Sequence, residues 1–465
     1  MPRAVTIIGA GPGGYVAAIR AAQRGALVTV LEQSEVGGTC LNWGCIPTKT
    51  LIASAEALEH VRHAEDKGIR IEGTIGFDLD RIRDRKNKVV ATQVKGIREL
   101  FKRHGIHLIP ARGSILSPDV VRSVQNDGTT QDIRSDAIII ATGSRPAKIP
   151  GIPFDGERVI TSDEAVLMSS VPRRLLIIGA GVIGCEFAFI YRALGSEVTM
   201  VEVAGNAVST EDRDISAIIE RELKKAKIRL LLNQRAERIE TSSDGVHVVL
   251  ADGKEMEFDQ VLVSIGRSLN SEGLGLEDVG IAVGARGEIP VNDRMETGVP
   301  GIYAVGDITG KVLLAHVASR QGIVAVENIM GGDERMEYDA VPSAVFTMPE
   351  IGSAGLREQD AAKRGIQVKT GKFPYRGLGK AHAIGEISGL FKIVSDAATD
   401  KVLGVHICGA HASDLVHEGT LAIRTGTTAA VLARTIHAHP TLAEGILEAA
   451  EDVHGMAIHL PPGDK

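Results

Sequence analysis

The chain has 465 residues, a formal net charge of −7, and 44% hydrophobic, 24% charged and 3% aromatic residues. That length holds several domains of roughly 100–200 residues each, and the composition is that of a soluble globular protein. The acidic balance excludes a broad basic footprint for nucleic acid or anionic lipid, the scarcity of aromatics excludes a base-stacking surface, and no uncharged run reaches the ~18 residues of a membrane helix.

Met1-Pro2-Arg3 leads straight into an apolar run, so no signal or transit peptide is expected. A reducing cytoplasm is therefore the expected compartment. There a pair of nearby cysteines is expected to be catalytic rather than structural.

Ala4 to Ile8 reads as a short buried parallel strand, Gly9-Ala10-Gly11-Pro12-Gly13-Gly14 opens a helix through Arg24, and Leu27 to Glu32 is the next strand. In such a βαβ unit, Gly9, Gly11 and Gly14 permit a tight turn and the close approach of a pyrophosphate to the helix N-terminus, where unpaired amides favour an anion. Glu32 follows Gly14 by eighteen residues and places a carboxylate on a ribose hydroxyl. Glycine-rich turns of this kind also occur without ligand, so one copy alone decides little.

Two of the four cysteines come next, in Gly37-Gly38-Thr39-Cys40-Leu41-Asn42-Trp43-Gly44-Cys45-Ile46-Pro47-Thr48-Lys49. On an ideal helix residues five apart lie about 8.7 Å from each other at Cα, whereas a disulfide needs less than about 7 Å. Bridging Cys40 and Cys45 therefore requires a broken helix, and Gly44 with Pro47 supplies the break. Strained or exposed disulfides are the labile ones used in exchange. The alternatives are inert thiols on a core helix or half of a metal site. A second Cys or His pair at ligand spacing is absent, so no metal is expected.

Asp80 to Arg103 carries apolar residues at helical spacing and stops at His104-Gly105, with Arg81 to Lys86 expected to form a solvated helix face. Ile106 to Ile109, Val120 to Val124 and Ala137 to Ile140 read as strands. The last runs into Ala141-Thr142-Gly143-Ser144, a turn placing Thr142 and Gly143 beside a cofactor. The proline-rich stretch from Pro146 to Pro153 reads as a linker.

Leu175 to Ile178 and Gly179-Ala180-Gly181-Val182-Ile183-Gly184 then repeat the first unit at a separation of 170 residues, down to the acidic strand end at Glu202. Two dinucleotide sites in one chain imply two cofactors that exchange electrons. Glu202 accepts a ribose hydroxyl and repels a phosphate, and the next residues, Val203-Ala204-Gly205-Asn206, offer no arginine for one, so Gly179, Gly181, Gly184 and Glu202 favour NAD over NADP. Val261 to Ile265 with Gly266 echoes the earlier strand-glycine ending. Ile302-Tyr303-Ala304-Val305-Gly306-Asp307 ends another strand on a carboxylate suited to a sugar-alcohol hydroxyl.

From Tyr338 onward the segments read as a separate α+β domain. Near its end, His437-Ala438-His439-Pro440-Thr441-Leu442-Ala443-Glu444 places Pro440 in a first helical turn and Glu444 in the second. A carboxylate at one ring nitrogen of His439 fixes the tautomer and raises the basicity of the other, which suits a base that turns a dithiol into a thiolate.

The cysteine segment, both fingerprints, the Gly-Asp motif and the His-Ala-His-Pro segment together resemble the flavoprotein pyridine nucleotide-disulfide reductases nearly end to end, and within them the members that oxidise dihydrolipoamide. The resemblance implies an α/β fold with two Rossmann-like dinucleotide-binding domains and a C-terminal α+β dimerisation domain. The expected divisions are 1–148 for FAD with the redox disulfide, 149–267 for NAD, 268–338 as a central domain completing the FAD site, and 339–465 as the interface of a homodimer.

It also implies roles. Cys40 is the interchange thiol and Cys45 lies against the flavin. Lys49 approaches the flavin and pairs with Glu186, Glu32 and Asp307 hold FAD hydroxyls, and the helix from Ala315 aims its amides at the flavin. His439, oriented by Glu444 and followed by a cis peptide, is the acid-base serving the partner subunit's disulfide. The implied partner is a lipoylated carrier of a 2-oxoacid dehydrogenase or glycine-cleavage system; a related reductase of another small disulfide is the alternative. Trp43 and Met348 depart from the common family residues at their positions, and Cys185 and Cys408 match no catalytic position and are expected to be buried.

Overall fold

A computed structural model describes residues 2–461. Two parallel sheets are built alike. In the first, Ala4–Ile8 lies between Leu27–Leu31 and Ala137–Ile140, with His107–Ile109 and Ile302–Ala304 at the edges. In the second, Arg174–Ile178 lies between Glu197–Glu202 and Gln260–Val263, with Arg229–Leu232 and Val159–Ile160 outside. Strands buried on both faces need continuous apolar runs, which Ile138, Ile139, Ile140, Leu175, Leu176 and Ile177 supply at full burial.

Each sheet is accompanied by a three-stranded antiparallel meander: Ala111–Ser117, Val120–Gln125 and Thr130–Arg134 beside the first, Ala236–Thr241, Val246–Leu250 and Glu255–Phe258 beside the second. The sequence reading found only the middle strand of the first meander. Gly, Arg and Ser interrupt the apolar pattern of Ala111–Ser117, and Gly113 sits where an added Cβ would meet Leu31 and Ile8 side chains at 2.8 and 3.0 Å.

Residues 302–304 extend the first sheet, and helix Ala315–Ile329 packs on helix Pro12–Gln23. Their approach is close because a Cβ on Gly322 would lie 2.5 Å from the Gly13 carbonyl. The third unit is an antiparallel sheet in the order Pro342–Val345, Ile351–Gly355, Val402–Cys408, Leu390–Asp396, Val368–Pro374, with helices Ala412–Thr425 and Glu444–Asp452 against it.

Helix Cys45–Arg62 is the element that joins the parts. Its Leu51, Ile52 and Leu58 share one core with Phe187 and Ile190 of the second unit and with Val345, Ile351 and Cys408 of the third. The helix over Leu79–Arg103 forms as read, but its basic run is not wholly solvated: Lys86 is buried and donates to the Val166 carbonyl at 2.9 Å. A lysine stem packs against apolar neighbours while its ammonium reaches a carbonyl, which a charge run alone does not disclose. Among the described residues, no helix is long and apolar enough to cross a membrane.

Candidate active site

Cys40 belongs to a short helix, Gly38–Asn42, and Cys45 begins the helix Cys45–Arg62. Between them Gly44 leaves helical geometry at φ −131° and ψ −109°, and a Cβ there would meet the Thr39 carbonyl at 3.0 Å. Pro47 lies inside the first turn of the second helix, where its missing N–H costs nothing. Both cysteines are free thiols in this structure.

The two thiols are electrostatically unequal. Contact with Cys45 and burial push Cys40 far above the usual thiol range. The same contact with Cys40, aided by the Lys49 ammonium, lowers Cys45 to about 7 against the opposing effect of burial. The other two cysteines differ: both are fully buried, and burial pushes Cys185 and Cys408 well up.

One turn into the helix, Lys49 Nζ lies 2.9 Å from each carboxylate oxygen of Glu186. Glu186 is 2% exposed on helix Val182–Ala193, and its Oε1 also accepts the Phe346 N–H at 2.9 Å. The Phe346 ring stands 4.8 Å from the ammonium, within cation–π range. Phe346 was not legible from sequence, because its role here comes from a backbone amide and a ring face supplied by the third unit. Trp43 and Met348 are partly buried, and Met348 packs against the core that Leu51 and Phe187 share.

The two nucleotide fingerprints repeat atom for atom. A Cβ on Gly9 would fall 2.4 Å from the Ala141 carbonyl, and one on Gly179 2.4 Å from that of Ser264; on Gly14 and Gly184 it would fall 1.9 and 2.0 Å from the carbonyls of Gly9 and Gly179. These four glycines close the turn. Gly11 and Gly181 instead face space: a Cβ on Gly181 meets nothing within 4 Å, and one on Gly11 meets only Gly38 Cα at 3.9 Å. That space at each helix N-terminus is the cradle for a pyrophosphate.

Each acidic strand end also braces its own loop. Glu32 accepts the Ala10 and Ser34 N–H groups at 2.7 and 2.8 Å, and Glu202 accepts those of Ala180 and Ala204 at the same two distances. Two lone-pair sites per carboxylate remain for ribose hydroxyls. Burial raises Glu32 despite those amides.

On the first sheet, Asp307 accepts the Ser144 hydroxyl, which itself accepts Arg267 Nε at 2.6 Å. Ser144 lies in a stretch that reads only as a turn, and Arg267 follows a strand-glycine ending that gives it no role by itself. Thr142 Oγ1 is buried and unpartnered, while Gly143 and Gly266 take positive φ of 67° and 121° at turns next to strands 137–140 and 260–263. Helix Ala315–Ile329 has no side-chain cap, so its first amides are open to an acceptor. The open cradle at Gly11, the spare carboxylate sites of Glu32 and the orphaned Thr142 hydroxyl fit a dinucleotide such as FAD.

His439 and Glu444 meet at 2.8 Å between Nδ1 and Oε1, leaving Nε2 outward on a side chain that is 77% exposed. The peptide bond between His439 and Pro440 is cis, as is the one between Met348 and Pro349. The helix begins at Glu444 rather than at Pro440. The reason is Glu444 itself, whose Oε2 accepts the Thr441 N–H at 2.9 Å and so closes a turn ahead of the helix. Burial pushes the Glu444 carboxyl up, but Thr441 and His439 outweigh it and hold it below the usual range. Next to it, His437 bridges the Thr435 carbonyl at 2.8 Å and Glu418 at 2.9 Å.

The sequence matches the pyridine nucleotide-disulphide oxidoreductase family over residues 3–322 and that family's dimerisation domain over residues 341–450. The chain belongs to this family. Among curated relatives of this oxidoreductase, the dihydrolipoyl dehydrogenase of Chlamydia muridarum is 44% identical over 461 residues, covering 99% of this chain and 98% of its own. That of Thermus scotoductus is 43% identical, covering 98% of each. Among solved structures, LpdA of Mycobacterium tuberculosis superposes with a TM-score of 0.91 at 31% identity, covering 97% of this chain and 99% of its own.

Proposed function

We propose that this oxidoreductase oxidises a dihydrolipoyl group to lipoyl while reducing NAD, with FAD in the first nucleotide site and NAD in the second. The observation that carries the reading is the unequal dithiol: a thiol lowered to about 7 at the head of the helix that also holds Lys49 against buried Glu186. Full-length relatives named dihydrolipoyl dehydrogenase support it.

Bound FAD supplies the two-electron relay between the cysteine pair and NAD. The chain's residues do the rest. His439, with Glu444 fixing its Nδ1 side, takes the proton from a substrate thiol at Nε2. The substrate thiolate attacks the oxidised cysteine pair at Cys40, and Cys45 leaves as thiolate. A lower leaving-group pKa speeds such exchange, which suits this order of the two sulfurs. The second substrate thiol then displaces Cys40 from the mixed disulfide, closing the lipoyl ring and leaving the pair reduced. Lys49 stabilises negative charge beside Cys45, and Glu186 holds Lys49 in place. Gly9, Gly11, Gly14, Glu32, Thr142, Gly143, Asp307 and Ala315 would hold FAD; Gly179, Gly181, Gly184, Glu202 and Gly266 would hold NAD.

We further propose a cytoplasmic homodimer in which residues 339–465 form the interface and each His439 serves the other subunit's cysteines, acting on a lipoylated carrier. Residues 1–148, 149–267 and 268–338 divide the remainder. Steady-state formation of NADH from dihydrolipoamide, run beside NADPH with glutathione disulfide, tests the reading. Turnover of the second pair without the first overturns it.

A further inference from the structure

The second nucleotide site differs from the first in one respect that the repeat makes visible. In the first, the loop after Glu32 returns to the fingerprint through the Gly37 N–H, which donates to the Ala10 carbonyl at 2.8 Å with Gly37 at φ 95°. In the second, the corresponding bond runs from the Val208 N–H to the Ala180 carbonyl, also at 2.8 Å, with Val208 at φ 39°. Glycine takes a positive φ freely, whereas for a β-branched residue it is a strained outlier that persists only when the surroundings impose it.

Those surroundings come from the third unit. Ser353, His406 and Lys392 are direct cross-strand neighbours on three adjacent strands and form a buried polar row. Lys392 is 1% exposed, and its Nζ lies 2.7 Å from Asp212, itself 0% exposed, and 2.6 Å from Asp214 and Glu358. Ser353 Oγ donates to Glu211 at 2.6 Å, and Arg357 donates to the Ser209 carbonyl at 3.1 Å. The turn directly after Val208 is thereby gripped along its length. Burying a lysine among carboxylates gains little stability over an apolar packing of the same volume, so such a cluster has its best-attested use in fixing one arrangement.

We infer that the row centred on Lys392, with Arg357, is a positioning clamp that holds the 203–212 loop of the second nucleotide site in its binding geometry, so that affinity for NAD depends on the docked third unit. The path is short. Val208 is tied to Ala180, and the Ala180 N–H is one of the two that orient Glu202. Lys392 touches neither nucleotide nor cysteine and acts through the loop. The first site, with Gly37 at the equivalent place, needs no such clamp. This inference rests on the proposed function, because it takes the second site to be the NAD site.

The experiment titrates NADH, by its own fluorescence, into the full-length holoenzyme and into Lys392→Met and Arg357→Ala variants, each fully reduced with dithionite beforehand so that no hydride is transferred. The expected outcome is a rise in Kd of roughly 5–150-fold, the usual range of coupling between sites, with flavin content and NAD-free reduction by dihydrolipoamide unchanged. Hydrogen exchange at residues 203–211 should quicken in the same variants. If Lys392→Met does not fold, Arg357→Ala, whose guanidinium is partly exposed, decides the matter. Wild-type affinity and exchange in a folded variant overturn the clamp while the proposed function stands; failure of the unmodified protein to bind NADH overturns both.

Discussion

Lys49 and Glu186, 137 positions apart in the chain, form a symmetric pair in which the ammonium sits 2.9 Å from both carboxylate oxygens. The pair fastens the cysteine helix to the helix that opens at the second fingerprint. Because Glu186 also accepts the Phe346 amide, all three units meet at this carboxylate. The charge of Lys49 reaches Cys45 from that fixed position, and its consequences can be measured.

Alkylation of the reduced, flavin-free protein, in which Cys45 is exposed, is expected to label Cys45 first with iodoacetamide, with a rate that rises through an apparent pKa of about 7. Cys40 should remain unlabelled across the same range, because Cys45 and burial push it up. Peptide mapping of the label against pH reads both outcomes; equal labelling of the two cysteines contradicts the assignment.

Removing the charges of the pair one at a time should move Cys45 in opposite directions. Lys49 lowers it and Glu186 raises it. Lys49→Met is therefore expected to shift the alkylation profile to higher pH and Glu186→Gln to lower pH. Shifts of the same sign in both variants would show that packing, not charge, controls the thiol.

His439→Gln should slow dihydrolipoamide oxidation by roughly 10²–10⁴-fold, the usual scale of a lost acid-base group. An unchanged kcat removes that role. The Glu444 tie has its own pH signature. Its carboxyl is held below the ordinary value, so the stabilisation it gives is fully present above an unperturbed carboxylate pKa of about 4.3 and is lost only as pH falls through the lower folded value. The side-chain carboxyl carbon resonance of Glu444 should accordingly show its own titration only below about pH 4.3.

Glu202→Ala removes a carboxylate that braces the Ala180 and Ala204 amides and that the proposed function sets against the ribose of NAD. Hydrogen bonds to charged groups contribute about 1.5–3 kcal/mol, so the KM for NAD is expected to rise roughly 10–100-fold. Loss of the charge that repels a phosphate should at the same time narrow the preference for NAD over NADP. A KM for NAD that stays put would detach Glu202 from the nucleotide.

The glycine fingerprints, the cysteine segment and the His-Pro-Glu segment are legible because each is governed by geometry within a few residues. A Cβ at Gly14 or Gly184 collides with a carbonyl five residues back, whatever the rest of the chain does. Other features were hidden for an equally physical reason. Lys86 looks like one more solvated charge until Val166 covers it, and the start of the last helix depends on which amide Glu444 captures. Ser144 and Arg267 acquire meaning only beside Asp307, and Lys392 only beside Asp212.

The amino-acid order by itself determined the two glycine-rich strand-to-helix turns, the break between the two neighbouring cysteines and the histidine-carboxylate pair, since local sterics and short-range hydrogen bonding specify them. Only the folded chain decided which sulfur is the more acidic, what holds Lys49, and what keeps Val208 at a positive φ. Those depend on charges and carbonyls brought together from distant segments, and electrostatic and packing forces act through space with no regard for separation along the chain.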